Sequence, residues 1–231
     1  MKIGIIGAGQ IGGALAHRLT ELHHTVLISN SRGPESLRDL AAATGATAAH
    51  SNEAIRGAEL IVLTIPMRKI EDLPSDLFAG VPDSVPVIDT NNYYPRERDG
   101  RIEAIEAGLV ESRWVEQRIG HRVIKTFNNI YAKHLQEHGK PNGAPGRIAL
   151  PVSGDDAAAK AKVLALVDEL GFDPVDVGGL DESWRQQPGS PAYGKDFDAA
   201  GVRDALATAS KERTPQWSGT AASPGTFERP A

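Results

Sequence analysis

Apolar residues follow two alternating rhythms along the first 180 positions. Short runs rich in Ile, Val and Leu at residues 2–6, 25–29, 46–49, 60–65, 85–89 and 122–126 predict strands. Between the first two, Ile11, Ala14, Leu15, Leu19 and Leu22 recur at the helical period, which predicts a helix over 11–22. Residues 34–43 predict the next helix, with Pro34 suited to its first turn, and 103–106, 111–117 and 131–137 predict shorter ones. A strand at 147–153, a helix at 157–170 closing at Gly171 and a strand at 174–177 continue the alternation. Strands alternating with helices imply an α/β chain with a Rossmann-type, doubly wound, mainly parallel sheet. Residues 181–194 read as a polar loop, 198–211 as a helix, and the Pro/Ser/Gly/Thr mixture from Thr214 onward as a mobile tail.

Composition narrows the function classes. The net charge of −5 and the lack of a long Lys/Arg cluster argue against a nucleic-acid surface, which needs a local basic excess. No run approaches the roughly 18 consecutive apolar residues of a membrane span. The apolar start of the chain carries too many glycines for a secretory helix and reads instead as a strand and a turn. Cysteine is absent, which removes disulfides, thiolate metal sites and thiol nucleophiles, and fits an expected cytoplasmic location. With aromatics at 5%, the core must be built from Ala, Val, Ile and Leu.

The strongest chemical signal is Gly7-Ala8-Gly9-Gln10-Ile11-Gly12, a GxGxxG turn between a predicted strand and a predicted helix. Gly7 permits the tight turn, Gly9 lets a pyrophosphate approach the main chain, and Gly12 lets helix and strand pack closely. The helix N-terminus offers free N–H groups to the anion. About 20 residues on, where NAD enzymes place an acid for the ribose hydroxyl, stands Asn30, followed by Ser31 and Arg32. An amide, a hydroxyl and a guanidinium suit a 2′-phosphate, so the expected cofactor is NADP, the bland alternative being that Arg32 is a solvated loop charge. Thr64, Ile65 and Pro66 end one strand and Asn91 follows another, and ligands bind outside such carboxyl ends. The expected division is a dinucleotide-binding domain over residues 1–195, then a C-terminal helix and tail over 196–231.

Residues 2–12, 29–32, 62–66 and 152–156 resemble the F420-dependent NADP oxidoreductases, which pass hydride between NADP(H) and the deazaflavin F420. Residues 89–92 and the run Val123-Ile124-Lys125-Thr126-Phe127-Asn128-Asn129-Ile130 are similar to the NADPH-binding domain of six-transmembrane metalloreductases, which hands hydride to a flavin. The resemblance spans about residues 1–180. It implies that Gly7 to Gly12 hold the pyrophosphate, Ser31 and Arg32 the 2′-phosphate, and Thr64 to Pro66 with Asn91 the ribose and nicotinamide side. It also implies F420 or a flavin as hydride partner. The chain departs from those relatives over 181–194, where the F420 enzymes continue as a helix.

Other chemistry is weaker. His134-Leu135-Gln136-Glu137-His138 matches the HxxEH zinc pattern, but Gly139 and Pro141 end the helix at once and no downstream acidic ligand is evident in sequence. It reads as a polar helix end, with no metal expected. If a carbonyl or imine were the substrate, Lys125, Asn128 and Tyr193 would be the candidate proton donors. Trp184 and Arg185 are placed near the pocket because their loop follows a strand bordering the crevice. The expected activity is hydride transfer between NADPH and F420 or a flavin; a small-molecule carbonyl or imine reductase, a non-catalytic NADP sensor and an HxxEH metallohydrolase are the alternatives, and a homodimer stays open.

Overall fold

A computed structural model of the chain describes residues 1–212 and 225–231. The strands are β1 Lys2–Ile6, β2 Thr25–Ser29, β3 Thr47–Ala48, β4 Leu60–Leu63, β5 Val87–Asp89, β6 Val123–Lys125, β7 Ala149–Ser153 and β8 Asp173–Gly178. The helices are α1 Gln10–Glu21, α2 Arg38–Thr44, α3 Ser51–Ile55, α4 Glu103–Glu106, α5 Glu111–Ile119, α6 Ala132–Glu137, α7 Ala157–Glu169 and α8 Ala199–Ala207. All eight strands join one sheet in the order β3-β2-β1-β4-β5-β6-β7-β8. Every neighbouring pair is parallel except β6 and β7, which meet antiparallel at Lys125 and Ser153.

Strand order reverses at β1, whose neighbours are β2 on one side and β4 on the other. Such a switch point opens a crevice at the carboxyl ends of the strands. The sheet is covered on both faces, which is why all of Leu60–Leu63 and most of β1 are buried and why these strands read as unbroken apolar runs. One face packs α1, α6 and α7 through Leu15, Leu19, Leu135, Val163 and Val167; the other packs α5 through Trp114 and Val115. Aliphatic residues dominate both cores, as the low aromatic content requires. The helix α8 packs on β7 and β8 through Val202 and Leu206.

Three local differences from the sequence pattern have physical causes. Residues 34–43 are not one helix: a 3-10 turn at Pro34–Leu37 precedes α2, as the Asn30 and Ser36 side chains knit this loop together. The polar segment after β8 forms a 3-10 helix, Leu180–Gln186, because its Gln186 finds buried amide partners. The expected tail begins in residues 213–224, which lie outside the described residues, while at the C-terminus Gly225 and Ala231 hydrogen-bond Arg96.

Inside the sheet, Asp89 and Lys125 are fully buried neighbours, with Nζ 3.3 Å from Oδ2. The Ser112 hydroxyl donates to the same carboxylate oxygen at 2.7 Å and the Asn91 N–H to the other at 2.9 Å. The ammonium also donates to the Asn91 carbonyl. Removing one member of a buried pair strands the other charge. Lys125→Met should therefore destabilise the protein by about 3–5 kcal/mol in urea unfolding at neutral pH. The Asp89→Leu/Lys125→Met double variant should recover part of that loss. A single variant as stable as wild type would show that the pair does not hold β5 to β6.

Candidate functional site

At the end of β1 the chain turns through Gly7, whose φ of +115° lies in the left-handed region. Its N–H donates to the Ser29 carbonyl at 2.9 Å, and the Thr64 N–H donates to the Ile6 carbonyl at 2.8 Å, so the turn is stitched to β2 and β4 together. A Cβ on Gly7 would stand 2.0 Å from the Thr64 carbonyl oxygen, and one on Gly12 would stand 2.1 Å from the Gly7 oxygen. A Cβ on Gly9 would meet nothing within 4 Å. Two glycines are thus required by the protein itself, while the third faces open space.

That space is the mouth of α1. Gly9 is its N-cap, no side chain caps the helix, and the first turn carries no acid. The leading N–H groups, those of Gln10, Ile11 and Gly12, have no intrahelical acceptor, and the helix dipole favours an anion there. The cavity in front measures about 680 Å³ and is lined by Gly7, Ala8, Gly9, Asn30, Ser31, Arg32, Thr64, Ile65 and Pro66 among others. Nine of the sequence-predicted residues therefore meet in one crevice. Gln10, Ile11 and Gly12 form the helical turn behind it.

Asn91 stands behind the opposite wall. Its Oδ1 accepts the Ile65 N–H at 3.0 Å and so fixes the strand-end loop, while its Nδ2 is buried without a partner among the described residues. An orphaned buried donor beside the crevice fits a site that receives polar ligand atoms. At the other end, Ser31 and Arg32 are exposed and border a second cavity of about 650 Å³ that also reaches His50. The nearby Glu35 is taken by Arg38, and Arg32 makes no ion pair among the described residues. Asn30 is used differently from its expected role: its Oδ1 accepts the Arg32 N–H at 2.9 Å and its Nδ2 donates to Ser36, so it shapes the loop that presents Arg32. The arrangement fits a dinucleotide with an extra phosphate on its adenosine ribose.

Several lining residues escaped the sequence reading, Ser51 and Lys69 among them. Ser51, at the start of α3, borders both cavities and donates to the Ser29 hydroxyl at 3.1 Å. Lys69, in the 3-10 turn after Pro66, sits on the rim and pairs with Asp72 at 2.7 Å. Both follow strands that end at the crevice, so the strand-end rule applied to every crossover would have found them.

The candidate proton donors lie elsewhere. Lys125 is sealed in its pair with Asp89 and serves to hold Asn91. Asn128 bonds reciprocally with the Asn92 and Gln186 amides. Tyr193 meets the Tyr94 hydroxyl; burial pushes both phenols up, so both stay neutral. Next to them, burial pushes the Glu111 carboxyl up to about 7, against the opposing pull of Lys125 and the Tyr93 N–H. Trp184 and Arg185 stack on each other, and Trp184 lines a separate cavity with Ile105, Leu109 and Lys211 that shares no residue with the glycine crevice. The placement of that pair beside the cofactor pocket is thereby corrected. His134 and His138 stack at 4.5 Å, and the connector before α8 brings Asp196 beside them, an acid the sequence pattern did not reveal.

Residues 2–93 match the family described as NADP oxidoreductase, coenzyme F420-dependent. The crystal structure of hypothetical protein SMa0349 from Sinorhizobium meliloti is 31% identical, with a TM-score of 0.72 over 85% of this chain and 95% of that one. A structure from Arthrobacter sp. FB24, named for F420-dependent NADP reduction, is 25% identical, with a TM-score of 0.61 over 79% of this chain and 87% of that one. Protein YjhV of Escherichia coli (strain K12) is 45% identical over 78 residues, which span 33% of this chain and 57% of that protein. Among the described residues no helix is long and apolar enough to cross a membrane.

The glycines yield a paired test. Gly9→Val should leave the urea midpoint unchanged, since its side chain enters open space, yet weaken NADPH binding by about tenfold or more in calorimetry. Gly12→Ala should do the reverse of what helix propensity predicts: in place of a gain of about 1 kcal/mol, overpacking should cost about 1–3 kcal/mol. A Gly9→Val protein that binds NADPH normally would move the cofactor site away from this turn.

Proposed function

The chain belongs to the family of F420-dependent NADP oxidoreductases, and on that premise we propose that it transfers hydride between NADPH and a second planar redox cofactor, F420 or a flavin. The observation that carries the reading is the open position at Gly9 before an uncapped helix terminus, with an arginine at the far end of the same cavity that makes no ion pair among the described residues. The first turn of α1 binds the pyrophosphate, and Ser31 and Arg32 grip the 2′-phosphate. Thr64, Ile65 and Pro66, braced by Asn91, set the plane of the nicotinamide side.

Bound NADPH supplies the hydride. What the protein must supply is alignment, because transfer between two planar rings needs close approach more than acid or base strength. The titratable groups lining the cavity are Arg32, Lys69 and Asp72, and the last two neutralise each other. Among the described residues no buried acid lines the cavity, which supports a redox ring that takes its proton from solvent over a carbonyl or imine substrate.

Two measurements test this function. NADPH oxidation followed anaerobically against F420, FMN, FAD and a carbonyl and imine panel should show turnover with F420 or a flavin. Turnover confined to the carbonyl or imine compounds would replace the acceptor assignment, and binding without turnover by any of them would make the protein an NADP sensor. Arg32→Ala should weaken NADPH binding by roughly 10- to 100-fold, since a charge-assisted hydrogen bond contributes about 1.5–3 kcal/mol, and leave NADH binding nearly unchanged. A wild-type preference for NADH would defeat the 2′-phosphate assignment.

A further inference from the structure

We propose that His134, His138 and Asp196 form a binding site for one divalent transition-metal ion of the zinc class, separate from the dinucleotide crevice. His134 and His138 are four residues apart at α6 and its C-terminal cap, so their rings lie on one side, stacked at 4.5 Å with planes 15° apart. Asp196 reaches them from the connector before α8. One ligand atom from each of the three residues lies within 4.8 Å of the other two. Tetrahedral zinc ligands at 2.0–2.2 Å from the ion stand roughly 3.3 Å apart, so the side chains need only rotate to enclose it.

A second observation sets this cluster apart from an ordinary ion pair. Asp196 Oδ2 lies 2.7 Å from His134 Nδ1, but off the direction of a ring N–H. That buried nitrogen consequently has no hydrogen-bond partner among the described residues. A nitrogen lone pair and a carboxylate oxygen that crowd together without sharing a proton are arranged as two ligands of a common ion would be.

The backbone on both sides is fixed. Leu135, between the histidines, is fully buried, and the His138 N–H donates to the His134 carbonyl at 2.9 Å. Around Asp196, the Gly194 N–H donates to the Asn129 carbonyl at 2.9 Å and the Phe197 carbonyl accepts the Ala149 N–H at 2.8 Å. Binding therefore orders side chains alone, which keeps its entropic cost small. A cavity of about 410 Å³ beside the cluster admits the ion, and the Lys140 ammonium on its wall is occupied by the Pro145 and Gly146 carbonyls.

Two imidazoles and one carboxylate suit zinc, cobalt, nickel or copper, whereas magnesium and calcium demand oxygen ligands. Three protein ligands leave a fourth position for water. The ion would clamp α6 to the segment that leads into α8.

Zinc chloride titrated into the full chain by calorimetry at about pH 7.5 should saturate at one ion per chain. Manganese should bind more weakly than cobalt and cobalt more weakly than nickel, and a large excess of magnesium should not compete. Binding should weaken as the pH falls, because protons compete with the ion for its ligand atoms. His134→Ala, His138→Ala and Asp196→Asn should each weaken zinc by about tenfold or more, while NADPH affinity and the metal-free melting midpoint stay at wild-type values. Uptake that never saturates at one ion, or saturates equally in the His134→Ala and Asp196→Asn proteins, would overturn the site. The NADPH titration reads the dinucleotide crevice independently, so either assignment can fail alone.

Discussion

The crevice depends on a contact that leaves no room for a side chain. Gly7 passes so close to the Thr64 carbonyl that a Cβ would fall 2.0 Å from it, and Gly12 brings α1 equally close to Gly7. These approaches lay the first turn of α1 across the gap where the connections after the parallel strands β1 and β4 leave toward opposite edges of the sheet. Were α1 lifted by the width of a methyl group, its N–H groups would lose their position relative to Thr64, Ile65 and Pro66. Anion binding at a helix terminus falls off within the first turn, so the geometry tolerates little displacement. The two crowded glycines thus build the site, and the uncrowded Gly9 leaves it open.

The far wall is set by polar groups buried in the sheet. Lys125 on β6 holds Asp89 on β5 and the Asn91 carbonyl, and the Asn91 side chain in turn holds the Ile65 N–H after β4. A buried ion pair seldom adds net stability over an apolar substitute, because desolvation offsets most of the attraction. Here it fixes direction. The amide of Asn91 is oriented by its own backbone, which is anchored at both N–H and C=O by the pair. That role accounts for a charged residue in a strand that is otherwise apolar, and its full burial keeps Lys125 out of the crevice.

How much of this was legible follows from the range over which each feature is determined. The strands and α1 were readable because period and turn chemistry are local, and β1 and β2 begin and end where the apolar runs do. The GxGxxG turn was equally local: Gly7 and Gly12 leave no room for a Cβ, and Gly9 faces open space. Long-range pairing was not readable. Gln186 sits in a segment that reads as a polar loop, yet it is fully buried, since its amide donates to Asn128 and Pro151 and accepts from Ser153. Asn30 stood at the expected distance from the glycines, but its amide was claimed by its own loop. Asp196 lies far along the chain from the histidines it meets, so only the packing of α8 on β7 and β8 brings it there.

The same amides hold the segment after β8 in place. Asn128 donates to the Gln186 carbonyl at 2.7 Å and accepts from its side chain at 3.0 Å, while Asn92 closes the group from β5. Phe127, just before, has a φ of +59°, an unusual value for a bulky residue and one sustained by its complete burial. This turn aims Asn128 back toward β5 and the 3-10 helix instead of along the sheet. A short polar segment is therefore held at the strand ends by side-chain pairing. Amide pairs are directional and lose their value when misaligned. The position of the 3-10 helix against the strand ends is accordingly set by three amides, those of Asn92, Asn128 and Gln186, more than by apolar packing.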